Sequence, residues 1–170
     1  MEGSGEPNSE FWIHARIYAA RPDVGGVAHV HPPACVVLGQ IGATLRPLHN
    51  SGAVPGETPL YDHAGLIRTR ELGEEVAATL GGRTAMLLRG HGANVAESDV
   101  RRAIVVACLL EESARLQLDA LAATGGNAGS IRFYGFEESE RLRAELEGEP
   151  LARAWAYFSE LAKRNLTPPS

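Results

Sequence analysis

The chain has 170 residues, of which 44% are hydrophobic and 22% charged, with a formal net charge of −5. That length and composition fit one globular domain over residues 1–170, with apolar side chains enough for a core, and predicted strands that interleave with helices make it α/β. The acidic balance excludes a nucleic-acid binder, which needs clustered Lys and Arg, and no apolar run nears the roughly 18 residues of a membrane span.

Met1 to Asn8 has neither a basic start nor an apolar core, so it reads as a flexible lead-in rather than a secretory signal, and the cytoplasm is the expected compartment. Glu10 to Ala20 spaces Phe11, Ile13, Ile17 and Tyr18 as a helix does, and Arg21-Pro22-Asp23 closes it. A strand is predicted over Val27 to His31. Residues i and i+2 of a strand share a face, so His29 and His31 converge on one point. Two imidazoles on a stiff element suit a divalent metal; the competing reading is a pair of half-buried strand residues.

Pro32-Pro33 stops that strand, and Ala34 to Leu38 fits a short helix or a second apolar strand. Thr44 to Leu48 reads as extended, and Asn50 to Pro59, rich in Gly and Pro, as a loop. Thr69 to Leu80 is predicted as a capped helix ending at Gly81-Gly82. Thr84 to Leu88 is a buried strand that delivers His91 into the glycine-flanked corner Gly90-His91-Gly92, with Ala93 to Ala96 as its hairpin partner.

Ser98 or Asp99 can cap the longest helix, expected to run to about Ala123. Its apolar positions Ile104, Ala107, Cys108, Leu110, Ala114, Leu118 and Leu121 point to core or subunit contacts. Helices over about Glu137 to Glu147 and Leu151 to Lys163 finish the chain, with Trp155 and Tyr157 as packing residues.

Cys35 and Cys108 are far apart in apolar stretches and read as buried spectators. Lys163 is the only lysine and lies near the C-terminus. Schiff-base chemistry therefore has a poor candidate, and an electrophile for carbonyl or carboxyl chemistry is expected to be a metal.

The residues Asn8-Ser9-Glu10, Arg21-Pro22-Asp23-Val24, His29-Val30-His31-Pro32, Thr69-Arg70-Glu71-Leu72-Gly73 and Leu87-Leu88-Arg89-Gly90-His91-Gly92 resemble, in order and spacing, the class II aldolase and adducin family. The resemblance runs from Asn8 to about Gly125. It implies a three-layer αβα sandwich around a mostly antiparallel sheet, a homo-oligomer with a tetramer favoured, and an active site between subunits. It further implies that His29, His31 and His91 bind a divalent metal, zinc or alternatively manganese or magnesium. Glu10 is then a ligand in the resting site and the acid–base group in turnover.

Departures from the family pattern bear on the reaction. The family's opening segment, with its phosphate-binding loops, is absent before Asn8. The serine pair that contacts phosphate in sugar-phosphate aldolases reads Asn8-Ser9, and the proton-donating tyrosine aligns with Asn50. Glu10-Phe11-Trp12-Ile13-His14, Arg46-Pro47-Leu48-His49 and Pro59-Leu60-Tyr61-Asp62 are more similar to the branch that decarboxylates hydroxylated aromatic or heteroaromatic acids through a metal-stabilised enolate.

Asn8, Ser9, Arg89 and His49 are the expected contacts to a small-molecule substrate. Arg89 fits either a substrate carboxylate or a structural ion pair, and His14 and His49 either proton handling or packing. An aldolase acting on a sugar phosphate, a non-catalytic adducin-like scaffold and a truncated lyase are the alternatives.

Overall fold

A computed structural model describes residues 5–166, excluding the Leu166 side chain. Of the expected flexible lead-in, Met1 to Ser4 lie outside the described residues; Gly5 to Asn8 are exposed. Four strands, β1 (Gly26–Val30), β2 (Leu60–Tyr61), β3 (Ala85–Leu88) and β4 (Gly92–Glu97), form one sheet in the order β1-β4-β3-β2. β4 runs antiparallel to both β1 and β3, and β2 pairs parallel with β3, so the sheet is mostly antiparallel.

The period-two alternation of the strands divides the core. Met86 and Leu88 of β3 and Ala96 of β4 face a layer made by α1 (Phe11–Ala20) and α3 (Arg70–Leu80), packing with Ile13, Ile17, Val76 and Leu80. Ala85, Leu87, Ala93 and Val95 face the opposite layer, made by α2 (Pro33–Gln40) and α4 (Val100–Ala123) through Leu38, Val106 and Leu110. α5 (Phe136–Leu146) and α6 (Glu149–Leu166) follow, and Leu151, Trp155 and Phe158 of α6 pack against that second cluster. The result is the expected αβα sandwich.

Local signals account for most boundaries. The Thr69 hydroxyl accepts from the Leu72 N–H at 3.3 Å and starts α3; Asp99 accepts from the Arg102 N–H at 3.0 Å and starts α4. Gly81, at φ 55°, ends α3. The ambiguous segment after Pro33 is a helix. Its N-cap, Pro32, has no side-chain acceptor, and Glu111 of α4 supplies one from across the layer, accepting from Ala34 N–H at 2.9 Å and Cys35 N–H at 3.3 Å. Glu111→Ala should therefore lower stability by about 1–2 kcal/mol, measured as a shift in urea midpoint at constant slope.

Several expectations need correction. Thr44 to Leu48 forms no strand; only Leu45 bridges, to Thr58. The two-residue β2 was not anticipated, since no alternation can show over so short a span, and a 3-10 turn (Asn50–Ala53) begins the expected loop. Tyr157 is 63% exposed, so of the predicted pair only Trp155 packs; of the α4 positions expected in core or subunit contacts, Ile104, 39% exposed, lies outside the core. Cys35 is buried and Cys108 half-buried, both as free thiols; burial beside Glu111 pushes the Cys35 thiol up to about 12.

Candidate metal centre

β1 holds His29 on the α1–α3 face of the sheet, paired across the ladder with Asn94. His31 lies one residue past the end of β1, just before the Pro32-Pro33 corner, and still turns towards its neighbour: the two Nε2 atoms are 3.1 Å apart. Two imidazole nitrogens at that distance must share either a proton or a cation.

The β3–β4 turn brings in the third ring. His91 N–H donates to Leu88 O at 3.2 Å, and the turn needs both of its glycines. Gly90 has φ 62°, and a Cβ there would stand 2.4 Å from the Gln40 side-chain oxygen. Gly92 has φ 154°, and a Cβ there would meet Val30 O at 2.2 Å and His31 Cα at 3.0 Å. Only hydrogen at position 92 lets β4 nest against the end of β1, which stacks His91 on His31 at a centroid distance of 5.0 Å. Gly92→Ala should cost roughly 3 kcal/mol or more, read as a fall in thermal midpoint.

Glu10 completes the group from the N-cap of α1. Its Oε1 accepts from the Ile67 N–H at 2.8 Å, which turns Oε2 towards His91 Nε2 at 3.5 Å and His29 Nε2 at 3.7 Å. Four potential ligand atoms, from Glu10, His29, His31 and His91, all lie within 4.8 Å of one another. Nitrogen ligands at about 2.0–2.1 Å from one ion sit roughly 3 Å apart, so the spacing and the three-imidazole, one-carboxylate donor set fit a divalent metal. Burial pushes the His29 pKa down, which keeps this ring neutral and available as a ligand.

The other expected residues stand around or away from this cluster. Asn8 Oδ1 accepts from the Glu10 N–H at 2.9 Å and so fixes the approach to Glu10, while Ser9 is exposed beside it. Arg89 lies on the same turn as His91, ion-paired with Asp62. His49 is not brought to the cluster; its Nε2 donates to Ser113 of α4 at 2.9 Å, with Ser113 donating in turn to Leu109 O. His14 is half-buried on α1, its pKa lowered by desolvation. Asn50 accepts from the Tyr134 hydroxyl at 3.1 Å.

Two functional neighbours escaped the sequence reading. Ile67 acts through its backbone, which no side-chain pattern reveals. Asn94 did carry a signal, as the one amide in the apolar run from Gly92 to Ala96.

An αβα sandwich that gathers three histidines and a glutamate at the end of a mostly antiparallel sheet is the architecture of a known class, and this chain belongs to the class II aldolase and adducin N-terminal domain family, whose model matches residues 1–118. Particular relatives narrow the comparison. The chain is 35% identical over 141 residues to the 3,4-dihydroxyphthalate decarboxylase of Rhodococcus jostii (strain RHA1), covering 79% of this chain and 58% of that protein. It is 34% identical over 132 residues to the L-fuculose phosphate aldolase of Escherichia coli (strain K12), covering 73% and 61%. A solved L-fuculose 1-phosphate aldolase superposes with a TM-score of 0.76 at 26% identity, covering 87% of this chain and 68% of that one. The chain thus spans somewhat over half the length of these curated relatives.

Proposed function

We propose that the chain carries the metal centre of a divalent-metal-dependent carbon–carbon lyase, and that its reaction is decarboxylation of a hydroxylated aromatic or heteroaromatic acid. The convergence of Glu10, His29, His31 and His91 within 4.8 Å carries this reading, together with the likeness to a decarboxylase of a dihydroxylated aromatic acid. An adducin-like scaffold would have no need of that geometry. Three imidazoles and a carboxylate favour zinc, with manganese and then magnesium as alternatives. A bound ion there supplies a Lewis acid that takes up negative charge developing on a substrate oxygen.

The chain's own residues do the rest. The three histidines hold their Nε2 side towards one point, and the Ile67 N–H leaves only Oε2 of Glu10 free to move a proton. Glu10 takes the proton of the ring hydroxyl as substrate binds. Glu10 then delivers that proton to the ring carbon that bears the carboxylate, which turns the phenolate into a ring ketone. When the bond to the carboxylate breaks, its electron pair restores the aromatic ring with the charge back on the ring oxygen, and CO2 leaves. Arg89, whose side chain is 37% exposed beside Asp62, is the candidate to hold a substrate carboxylate, and Asn8 and Ser9 line the approach to Glu10.

Aldol cleavage of a sugar phosphate is the second reading, favoured by the 34% identity to the L-fuculose phosphate aldolase. Asn50 counts against it, because an amide cannot donate the phenolic proton that the aldolase resemblance assigns to that position. The proposal takes the working state to be a cytoplasmic homo-oligomer, a tetramer by preference. The test is product analysis of zinc- and manganese-loaded protein. CO2 from ortho-hydroxy aromatic acids, without aldehyde from sugar phosphates, is the expected result; aldehyde alone would overturn decarboxylation.

A further inference from the structure

Asn94 is fully buried in the centre of β4, on the sheet face that α1 and α3 cover. Its cross-strand neighbours there are His29 of β1 and Met86 of β3. Every other β3 and β4 side chain in that cluster is apolar: Met86, Leu88 and Ala96. An amide in such a place demands a reason, since burying a polar group without full hydrogen bonding costs stability.

Only half of the amide is satisfied. Asn94 Oδ1 stands 2.8 Å from His29 Nδ1, while Asn94 Nδ2 is buried with no hydrogen-bond partner. An alanine or valine would leave no such orphan on the strand. The contact it does make acts on one thing, the proton of the His29 ring. A carbonyl oxygen can only accept, so the ring must carry its hydrogen on Nδ1, and its lone pair then sits on Nε2. Nε2 is the atom that faces His31 at 3.1 Å and Glu10 Oε2 at 3.7 Å.

We propose that Asn94 is a positioning residue for the metal centre: it locks His29 in the Nδ1–H tautomer and fixes the ring plane, so that Nε2 is presented as a preformed ligand. This rests on the metal reading above and adds to it a residue outside the ligand set. The tautomer that an unbraced imidazole prefers in water carries its hydrogen on Nε2, where it would block ligation. Holding the other tautomer beforehand removes that competition, and outer partners of this kind alter metal affinity about 10–100-fold when lost.

The experiment has two arms on the full chain. In the first, 15N-labelled metal-free protein at pH 8, where imidazoles are neutral, is examined by two-bond 1H–15N correlation; His29 should carry its hydrogen on Nδ1. In the second, zinc affinity is measured by competition with a chromophoric chelator. Asn94→Leu should bind zinc about 10–100-fold more weakly than wild type, whereas Asn94→Asp, which keeps an acceptor in place, should stay close to it. A wild-type His29 with its hydrogen on Nε2 overturns the assignment, as does a folded Asn94→Leu protein that binds zinc as tightly as wild type. Should Asn94→Leu not fold, the wild-type spectrum decides alone. A wild-type chain that takes up no zinc sinks the metal centre itself, and the tautomer in the same sample still supports or overturns the role of Asn94.

Discussion

Replacing His29 with alanine should abolish metal uptake. Wild-type protein offered zinc or manganese and then desalted should retain about one ion per chain by elemental analysis, and His29→Ala should fall to background. The effect is large because His29 is central to the group: its Nε2 lies 3.1 Å from His31 and 3.7 Å from Glu10, and its other nitrogen is held by Asn94. Truncation removes a ligand and the spacer between two others at once. The fold should survive, since His29 is near the end of an edge strand and outside the main apolar clusters.

Acidity should work in the same direction as the mutation. Ligation needs the neutral ring, and burial lowers the His29 pKa, so this ligand keeps its lone pair as pH falls through the ordinary imidazole value of about 6.5. At lower pH protons compete for the same lone pair, so metal affinity should fall progressively with acidity. Wild-type protein that stays metal-free at neutral pH after exposure to both ions would remove the catalytic reading altogether.

The second large effect is expected at Glu10. Glu10→Gln should reduce turnover by about 10²–10⁴-fold while leaving the thermal midpoint nearly unchanged. The separation of the two readouts follows from the different tasks of its two oxygens. Oε1 accepts from the Ile67 N–H at 2.8 Å, a bond that a glutamine carbonyl can also make, so the loop over residues 62–69 keeps its anchor. Oε2 faces His29 and His91 and is the atom proposed to carry the proton, which an amide cannot do near neutral pH. Undiminished turnover in this variant would take Glu10 out of the mechanism. A large fall in midpoint would show instead that its role is to hold the loop.

Much of the fold was legible because its signals are local. Thr69 and Asp99 announce helix starts through side chains that cap backbone N–H groups nearby, and Arg21-Pro22-Asp23 ends α1 by turn chemistry. The β3–β4 hairpin was readable from an apolar run meeting Gly90-His91-Gly92. Where the deciding partner was remote, the reading failed or stayed open. The helix after Pro33 depends on Glu111, which lies on another layer and has no sequence signal linking it to Ala34. Tyr157 looked like a packing residue because aromatic side chains usually are, yet it stays 63% exposed on α6, with an edge-to-face contact to the adjacent Phe158.

The site divides along the same line. Residue type and spacing by themselves marked His29 and His31 on an extended segment, and His91 between glycines, as candidates, and it was the family resemblance that joined them with Glu10 into an expected ligand set. Only the tertiary structure decided whether those rings share one point, since that depends on β4 passing between β1 and β3 and on Gly92 letting it press against the end of β1. It also decided what a ligand list never contains: the Ile67 N–H that turns Glu10, the Asn94 oxygen that orients His29, and the Ser113 hydroxyl that holds His49 away from the cluster. Each is a hydrogen bond between residues distant in the chain, and directional contacts of that kind exist only once the layers have packed.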